Sequence, residues 1–353
     1  SVARANLLAP VPSSPYSAPE RSSEPLHTRL ANIHDAAQRL RDGGVVAFPT
    51  ETVYGLGADA MSHRAVDRVF TLKGRPSTNP LIVHACDEAM ARTIVREWPE
   101  HAAALARAFW PGPLTIVLPK APGVPLNVTA AGPNVAVRCP DHPVAIALIE
   151  ALERPIVGPS ANLSGRVSPT AAAHVRESFS PEDVLVLDGG PCRAGIESTV
   201  VSLAEGTPRI LRQGVVTPEM IAGVIGVRPL VALHAADVTG PAAPMASPGM
   251  LRSHYAPAAK AVLFNPTRWP AVLNGAAVVV VVTHDRTRAA PPPPPPHRVV
   301  LLPDDATGYA ARLYAALREA DSMKPGLIAI ERPEGVGGVW DALRDRLERA
   351  TAE

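Results

Sequence analysis

The chain is short of cysteine, of aromatic residues and of long apolar runs, and neither sign of charge dominates. Its three cysteines (Cys86, Cys139 and Cys192) lie far apart with no C-x-x-C pair, so the sequence offers no disulfide framework or structural zinc site and suits a reduced, cytoplasmic protein. No apolar run reaches the roughly 18 residues that a membrane-spanning helix needs. The 34 basic and 33 acidic residues argue against a protein whose main role is to bind nucleic acid.

The composition that is present predicts a two-domain α/β protein. The 353 residues are 46% hydrophobic, which is enough for two buried cores. Residues 1–28 are predicted to be a flexible tail rather than a signal peptide, because they contain Pro and Ser but no long apolar segment. Strand and helix patterns alternate over 29–228, the predicted first domain. Residues 229–259, rich in Pro, Ala and Gly, are the predicted linker, and 260–353 are a smaller α/β unit with a parallel sheet.

Short apolar runs bounded by Gly, Pro and polar residues give the predicted strands. In the first domain these runs are 45–48, 81–83, 115–118, 135–137, 156–158, 184–187 and 199–203. In the second they are 276–282, 299–302 and 327–330, with helices at 309–320 and from 336 onward. A helix is also predicted after Thr217, with Thr217 as N-cap, Pro218 in the first turn and Gly226 as the stop. The hexaproline tract at 291–296 is predicted to be a stiff surface insertion rather than a docking site for a proline-binding module.

Two polar segments suggest ligand contacts. "FPTETVYGLGADA" (48–60) is predicted to leave a strand and enter a loop of hydroxyls, one carboxylate and glycines, which suits a small polar ligand. "KGRPSTNPLIVH" (73–84) carries Lys73 and Arg75 on either side of a glycine. Two fixed cations of this kind suit a triphosphate, although they equally suit the C-terminus of a helix.

Further polar residues lie where predicted strands begin or end. "VAVRCP" ends a strand at Arg138, "GPSANLSGRVSPT" (158–170) follows a strand, "GIESTVV" places Glu197 and Ser198 before a strand, and "ILRQG" places Arg212 after one. Ligands of α/β sheets bind at strand ends, so these segments together predict a binding site. The usual nucleotide-binding loops, a nucleophile elbow and metal-ligand histidine spacings are missing, which points away from hydrolytic triads and protein-bound catalytic metals.

Taken together, these motifs and "SPGMLRSHYAP" (247–257) resemble the threonylcarbamoyl-AMP synthase family. The resemblance is to its long form, in which a YrdC-like catalytic domain with a twisted mixed sheet is linked to a Rossmann-like α/β/α domain. It implies a cytoplasmic nucleotidyltransferase that condenses L-threonine, bicarbonate and ATP to threonylcarbamoyl-AMP and pyrophosphate, with Mg²⁺ bound to the ATP. It further implies that the product passes to a tRNA threonylcarbamoyl-transferase machinery for modification of adenosine 37, with at most a weak tRNA contact and no membrane.

The resemblance also implies the site residues. L-threonine would contact Thr52, His84, Arg138, Gly158 and Ser198. ATP would contact Arg75, Asn79, Asn134, Ser160, Ser168, Arg212 and Tyr255, of which Asn134 would act through its backbone. The implied catalytic set is Lys73, Arg75, Ser160 and Asn162. Tyr255 belongs to a linker segment that would fold over the site as a lid, and Leu251 stands where many relatives have Lys.

Two other functions remain open from the residues. One is a carbamoyl-transfer module, although related carbamoyltransferases carry a zinc-finger segment for which this chain has no C-x-x-C pairs. The other is RNA binding through a local patch of Lys73, Arg75, Arg138 and Arg212. Salt separates this last possibility from a pocket for one ATP, because RNA binding through many phosphates falls steeply with ionic strength.

Overall fold

A computed structural model describes residues 26–232, 254–265, 279–283 and 296–352, with side chains from residue 32 onward. The predicted tail as far as residue 25, linker residues 233–253 with Leu251, and prolines 291–295 lie outside these ranges. Within them, the fold is mixed α/β with a large twisted sheet and a separate small parallel sheet, as the sequence predicts. No helix in the described part of the chain is both long and apolar enough to cross a membrane.

The large sheet has ten strands in the order β10-β9-β8-β4-β5-β3-β6-β2-β1-β7, with parallel and antiparallel neighbours. The strands are β1 (Val45–Phe48), β2 (Gly55–Asp59), β3 (Ile82–His84), β4 (Leu114–Pro119), β5 (Asn134–Arg138), β6 (Ile156–Val157), β7 (Val184–Val186), β8 (Thr199–Ser202), β9 (Arg209–Arg212) and β10 (Leu230–Val231). The predicted end of the first domain at residue 228 stays a prediction, and the sheet itself extends to Val231.

Seven helices of the described chain accompany this sheet. They are α1 (Leu26–Arg41), α2 (His63–Lys73), α3 (Glu88–Arg92), α4 (Glu100–Phe109), α5 (Pro143–Leu152), α6 (Ala172–Arg176) and α7 (Pro218–Ile225). The predicted signals around α7 are confirmed: the Thr217 side chain accepts from the backbone N–H of Met220, Pro218 opens the helix, and Gly226 ends it at a φ of 71°.

The prediction that residues 48–60 form one loop was wrong for its second half, because Gly55–Asp59 is the fully buried strand β2. It pairs antiparallel with β1, placing Gly55 opposite Phe48. A Cβ at Gly55 would lie 2.6 Å from the Phe48 ring, so glycine lets the ring lie flat on the neighbouring strand. Strand formation here comes from cross-strand packing rather than from β-propensity, which is why composition alone suggested a loop.

The small sheet has the order β11-β14-β12-β13, and every neighbouring pair is parallel. Its strands are β11 (Ala261–Phe264), β12 (Val279–Thr283), β13 (Arg298–Leu301) and β14 (Leu327–Glu331), with helices α8 (Ala306–Ser322) and α9 (Val339–Ala350). The strand predicted at 276–282 corresponds to β12, and residues 276–278 lie outside the described chain. Strand β11 was not predicted, since it follows the Pro- and Ala-rich stretch without a clear break.

Loop residues of the first domain share a hydrophobic core with the second domain. One cluster of buried residues combines the small domain's helices α8 and α9 with apolar residues of the large domain, namely Val53, Val167, Ala194, Ile196 and Val215. Tyr255, just beyond the linker, belongs to the same cluster. The second domain therefore packs against segments that border the predicted ligand site.

Candidate active site

The carboxyl ends of β3 and β5 lie side by side and define the first half of the site. These strands are parallel, and their register pairs His84 with Arg138. Both side chains are buried, and the loop between β1 and β2 covers them with Thr52. Three of the predicted L-threonine contacts are thus close together because the sheet topology brings three separate segments to one edge.

Arg138 is held by partners from different elements. Its Nε donates to the Gly112 carbonyl (3.1 Å), Nη1 donates to Thr52 Oγ1 (2.9 Å), and Nη2 forms an ion pair with Glu51 Oε1 (2.6 Å). The Thr52 hydroxyl is fixed in turn by Thr50 Oγ1 at 2.9 Å. The contact with Glu51 is an ion pair without hydrogen-bond geometry, so both terminal nitrogens of Arg138 keep N–H groups for a ligand.

His84 and Gly158 form the adjoining wall. The His84 ring lies edge-on to Phe48, with 5.5 Å between ring centroids. Burial, reinforced by the Arg138 charge, lowers the pKa of His84 well below its ordinary value, so the ring is neutral. Its Nδ1 has no hydrogen-bond partner among the described residues. A Cβ at Gly158 would lie 2.6 Å from that nitrogen, so only glycine allows the backbone to approach it.

Ser198 joins this half of the site to the cationic half. Its hydroxyl lies 2.8 Å from Thr115 Oγ1 and accepts from Arg212 Nη2 at 3.1 Å. Arg212 Nε also donates to the Ser198 carbonyl at 3.0 Å. Arg212 is the last residue of β9 rather than a residue after the strand, and the antiparallel pairing of β8 with β9 sets it against Ser198.

Helix α2 delivers Lys73 to the interior. The buried face of this helix carries Val66, Val69, Phe70 and Lys73, which recur at helical spacing, so the lysine points the same way as the apolar residues. Lys73 Nζ donates to the carbonyls of Ser160 and Asn162, each at 2.5 Å, and keeps one further N–H. Burial, with a contribution from Arg75, lowers the pKa of Lys73 well below its ordinary value.

Arg75 and Asn79 follow α2 in a tight loop. Gly74 ends the helix in the left-handed region (φ 59°) and reverses the chain. Arg75 then donates from Nε to the Asn79 carbonyl (3.1 Å) and from Nη2 to the Pro80 carbonyl (2.9 Å). Burial, opposed by Tyr255 and assisted by the charge of Arg212, lowers the pKa of Arg75 to about 9. Neither atom of the buried Asn79 amide has a partner within the described ranges.

The segment after β6 supplies Ser160, Asn162 and Ser168. Asn162 donates from Nδ2 to the carbonyls of Leu163 and Arg166 (both 2.8 Å), while its Oδ1 has no described partner. Ser168 donates to Glu197 Oε1 at 2.7 Å. Asn134 opens β5, two residues before Ala136, which pairs with Ile82. The register therefore places Asn134 beside Asn79 and Pro80, whose carbonyls accept hydrogen bonds from Arg75.

Tyr255 lies over the cationic half. Its backbone is in the left-handed region (φ 64°), its ring stacks on Tyr314 (centroids 5.6 Å apart), and the Arg346 guanidinium lies 5.4 Å from its centroid. The buried Tyr255 hydroxyl has no hydrogen-bond partner among the described residues. Tyr255 is close enough to Arg75 and Arg212 to affect the pKa of both, and its role as a lid residue stays a prediction.

Two carboxylates here, Glu51 and Glu197, were not predicted as site residues. Glu51 stands in the first polar segment, and a buried Arg138 in the same site needs a counter-charge, which is the signal that could have singled it out. Glu197 was noted only as a polar residue before a strand, because its cationic partner, Arg346, is 149 residues away in the chain. Within the described ranges, no three His, Cys, Asp or Glu side chains come together as a metal site.

The site is cationic, buried and rich in unpaired polar atoms. Unpartnered buried polar groups are costly and uncommon in proteins, so the cluster formed by the Asn79 amide, His84 Nδ1, Asn162 Oδ1 and the Tyr255 hydroxyl indicates a ligand-binding site. Fold and site together define a class: a two-domain α/β protein that holds a small polar molecule with a carboxylate next to a phosphate-bearing one.

Comparison with known proteins gives the family. The model of the Sua5/YciO/YrdC family, described as "Telomere recombination", matches residues 38–214, and the model of the threonylcarbamoyl-AMP synthase C-terminal domain matches residues 216–352. The chain belongs to the threonylcarbamoyl-AMP synthase family, in its long two-domain form.

Individual relatives agree with this. The threonylcarbamoyl-AMP synthase of Pyrococcus abyssi is 48% identical over 231 residues, which cover 65% of this chain and 67% of that protein. The enzyme of that name from Bacillus subtilis is 46% identical over 239 residues, 67% of this chain and 68% of that protein. The crystal structure of P. abyssi Sua5 complexed with L-threonine is 39% identical and superimposes with a TM-score of 0.81, covering 91% of this chain and 94% of that one.

Proposed function

We propose that this chain is an L-threonylcarbamoyladenylate synthase, a nucleotidyltransferase acting on L-threonine, bicarbonate and Mg²⁺-bound ATP. The observation that carries the proposal is the adjacency of two buried half-sites. One is built on Arg138, Thr52 and His84, and the other on Arg75 and Arg212 with the unpaired Asn79 amide. An amino acid and a triphosphate would therefore meet in one pocket.

The Arg138 half-site fits the carboxylate of L-threonine. Arg138 keeps N–H groups on both of its terminal nitrogens, which suits a bidentate bond to a carboxylate. Glu51 balances the buried guanidinium before the substrate arrives. His84 Nδ1 and Ser198 Oγ offer polar contacts for the threonine hydroxyl and amine, and Gly158 leaves them accessible.

The chemistry needs no side-chain nucleophile. The threonine amine adds to CO2 derived from bicarbonate and loses a proton, which gives a carbamate. A carbamate oxygen then bonds to the α-phosphorus of ATP while the bond to the β-phosphate bridging oxygen breaks, releasing pyrophosphate. The side chains position the two reactants and stabilise the negative charge that develops on phosphate.

The cationic half-site has the parts for this stabilisation. Arg75 and Arg212 face the same region, and burial lowers the pKa of both, so a polyanion would relieve the cost of burying their charges. Lys73 holds the loop of Ser160 and Asn162 in place through two carbonyls, and its remaining N–H can reach a phosphate. Mg²⁺ would enter with the triphosphate as part of the substrate.

Burial of the cations argues against the RNA-binding alternative. Lys73, Arg75, Arg138 and Arg212 are only 2%, 9%, 4% and 8% exposed, so an RNA backbone outside the domain cannot contact them. The same burial fits an adenylate that must be kept from water, with Tyr255 as part of the cover. In this proposal the product passes to a tRNA threonylcarbamoyl-transferase machinery in the cytoplasm.

The test is pyrophosphate release from ATP with L-threonine and bicarbonate, each omitted in turn from CO2-depleted buffer. Release should require all three. Arg75→Ala should lower kcat/KM by about 100-fold, because one charged contact to the reacting phosphates is lost. Arg68→Ala is the matched control, since Arg68 is an exposed cation on α2, the helix that ends just before Arg75.

Two results would contradict the proposal. Pyrophosphate release that does not depend on threonine would favour the carbamoyl-transfer function. Absence of release, together with RNA binding that weakens steeply with salt, would favour the RNA-binding function.

A further inference from the structure

Two residues of the second domain bind one carboxylate of the first domain, Glu197, which borders the predicted active site. This residue lies in the loop before β8, directly before Ser198. Its Oε2 accepts from Tyr314 Oη of α8 at 2.9 Å and from Arg346 Nε of α9 at 3.0 Å. Its Oε1 accepts from Ser168 at 2.7 Å. One side chain of the large domain is therefore fixed by two residues of the small domain and passes that constraint to a predicted ATP contact.

Arg346 links a second segment of the site. Its Nη2 donates to the carbonyl of Gln213 at 2.8 Å, next to Arg212, and its Nη1 pairs with Asp345 at 2.8 Å. Arg346 thus ties the loop before β8 to the end of β9. It is fully buried, and so is Tyr314. Buried groups of this kind keep a single geometry because each lost partner leaves an unpaired polar atom.

The backbone at the interface is shaped for this contact. Gly195 has a φ of 72°, and a Cβ there would lie 2.2 Å from the Ala310 carbonyl of α8. The missing side chain lets α8 lie directly on the loop that carries Glu197. The ring of Tyr314 also stacks on Tyr255, so the same helix supports the cover of the site.

The hydrogen-bond network of Tyr314, Arg346 and Glu197 reaches the nucleotide half of the site more directly than the threonine half. The network ends at Ser168 and at Gln213, the residue after Arg212. Ser168 and Arg212 both belong to the predicted ATP half. The Ser198 hydroxyl, a predicted threonine contact, is held by Thr115 and by Arg212, so the network reaches it only through Arg212. No hydrogen bond or ion pair described for Arg138, Thr52 or His84 involves α8 or α9.

We infer that Arg346 and Tyr314 are positioning residues, through which the C-terminal domain sets Glu197, and with it Ser168 and Arg212, for ATP. The inference rests on the proposed ATP and threonine half-sites. It gives the second domain a specific role, because that domain then completes the nucleotide subsite without touching the reacting atoms.

The test measures the affinity of the full-length chain for AMP-PNP and for L-threonine, separately, by calorimetry, together with the melting temperature. Tyr314→Phe keeps the ring on Tyr255 and removes only the bond to Glu197. We expect it to raise the Kd for AMP-PNP about five- to tenfold, the size of one ordinary hydrogen bond, because the lost bond acts on ATP only through Glu197. The Kd for L-threonine should change less than twofold.

Two substitutions at Arg346 and one control extend the test. Arg346→Met should weaken AMP-PNP binding at least as much as Tyr314→Phe, and Arg346→Lys should retain more affinity because it keeps the charge. Arg344→Met is the control on the same helix, since the described contacts of Arg344 are with Gly335 and Asp341 of its own domain. It should leave both affinities unchanged.

Unchanged AMP-PNP affinity in Tyr314→Phe would overturn the inference, whatever happens to the melting temperature. Equal losses for AMP-PNP and L-threonine would also overturn it, because they would show a general structural effect. Failure of the wild-type chain to bind either ligand would instead count against the proposed function, so the two failures are distinguishable. Tyr314→Phe decides the matter even if Arg346→Met does not fold.

Discussion

At the scale of single residues, Arg138 shows how a buried charge is prepared for a ligand. A buried guanidinium costs several kcal/mol unless it is paired and hydrogen-bonded. Glu51 supplies the counter-charge, and Thr52 and Gly112 orient the guanidinium plane. The planar group is then fixed before substrate binds, so little rotational entropy is lost in forming the complex.

Replacing Arg138 with lysine should therefore be costly although the positive charge is kept. One ammonium cannot bond to Glu51, Thr52 and a ligand carboxylate in the fork geometry of arginine. We expect Arg138→Lys to raise the KM for L-threonine about 10- to 100-fold, the range of one lost charge-assisted bond, and to leave the KM for ATP within about threefold. Steady-state kinetics with each substrate varied in turn measures both values.

Arg92→Lys is the control for this prediction, because Arg92 forms an exposed ion pair with Glu88 on α3. Its kinetics should match those of the wild type. A parallel rise of both KM values in Arg138→Lys would show that Arg138 supports the fold of the site rather than the threonine half.

At this scale, the sequence predicted the cationic residues of the site more readily than their carboxylate partners. Arg138 could be singled out because it stands at the end of an apolar strand, and Lys73 because it and Arg75 are cations on either side of one glycine. The partners of these residues could not be assigned, since Glu51 is 87 residues from Arg138 in the chain and meets it only through the sheet. Ion pairs of this kind depend on topology, which local patterns do not encode.

At the scale of elements, the packing of Gly158, at the end of β6, against the Phe48 ring of β1 and the His84 ring of β3 sets the width of the threonine half. Gly158 directly follows β6, and its backbone N–H donates to the Ile82 carbonyl at 2.9 Å. The Phe48 and His84 rings fill the space where a side chain would stand. Strand ends packed this tightly do not adjust to an added methyl group without displacing a ring.

Gly158→Ala should accordingly damage threonine binding. The added Cβ would lie 2.6 Å from His84 Nδ1 and 2.8 Å from Phe48 Cζ. We expect the KM for L-threonine to rise about tenfold and the free energy of unfolding to fall by about 1–3 kcal/mol, as for other overpacked sites. Kinetics and urea unfolding provide the two numbers.

Gly223→Ala is the matched control. Gly223 lies in the exposed face of α7, and a Cβ there would meet nothing within 4 Å. Alanine in a helix interior is favoured over glycine by about 1 kcal/mol, so this variant should be as stable as the wild type or more so. Normal threonine kinetics in Gly158→Ala would refute the role given to the Phe48–His84 wall.

Elements with a clear apolar pattern were predictable and those defined by packing were not. Strands β1, β4 and β5 and helix α7 follow from apolar runs and capping residues. Strand β2 did not, because its "GLGAD" sequence has low β-propensity and forms a strand only against Phe48. Its glycines suggested a loop, whereas in the structure they make room for ring packing.

At the scale of the whole molecule, the two domains form one electrostatic unit around Glu197. Burial by itself raises the pKa of Glu197, but Arg346 and Arg212 outweigh that effect and hold the pKa below its ordinary value of 4.5. A carboxyl group whose pKa is lowered by folding contributes stability above its unfolded pKa. That contribution is lost as the pH falls through the folded pKa.

The stability difference between Glu197→Gln and the wild type should therefore depend on pH. At pH 7 the variant leaves Arg346 without its partner in the large domain, and we expect a loss of about 3–5 kcal/mol, as for other broken buried pairs. Below the ordinary carboxyl pKa of 4.5 the wild type begins to lose the stability that ionised Glu197 contributes. The difference in free energy of unfolding between the wild type and Glu197→Gln should therefore narrow. Urea midpoints at several pH values from neutral to strongly acidic measure it.

Glu348→Gln is the control, because Glu348 lies on the same helix as Arg346 and forms an exposed ion pair with Arg332. Exposed pairs contribute little, so this variant should follow the wild type at every pH. A gap for Glu197→Gln that stays constant across the whole pH range would mean that the charge of Glu197 does not hold the domains together.

The arrangement of the two domains was beyond sequence reasoning. The alternation of strands and helices predicts both sheets, but the contact between Glu197 and Arg346 spans 149 residues and a linker. The apolar residues at the contact, such as Ile196 and Val215, have the pattern of any buried side chain. Nothing in their spacing indicates that the core they fill is shared.

The shared core also limits which second domains could replace this one in a chimaeric protein. Exchanging the coding region after residue 228 for that of a distant homologue would bring a foreign helix against Gly195 and Ile196, where a side chain only one methyl group larger than glycine collides with the α8 backbone. The two halves are therefore expected to be inherited together and to change in step along their common surface, as subunits of an obligate complex do.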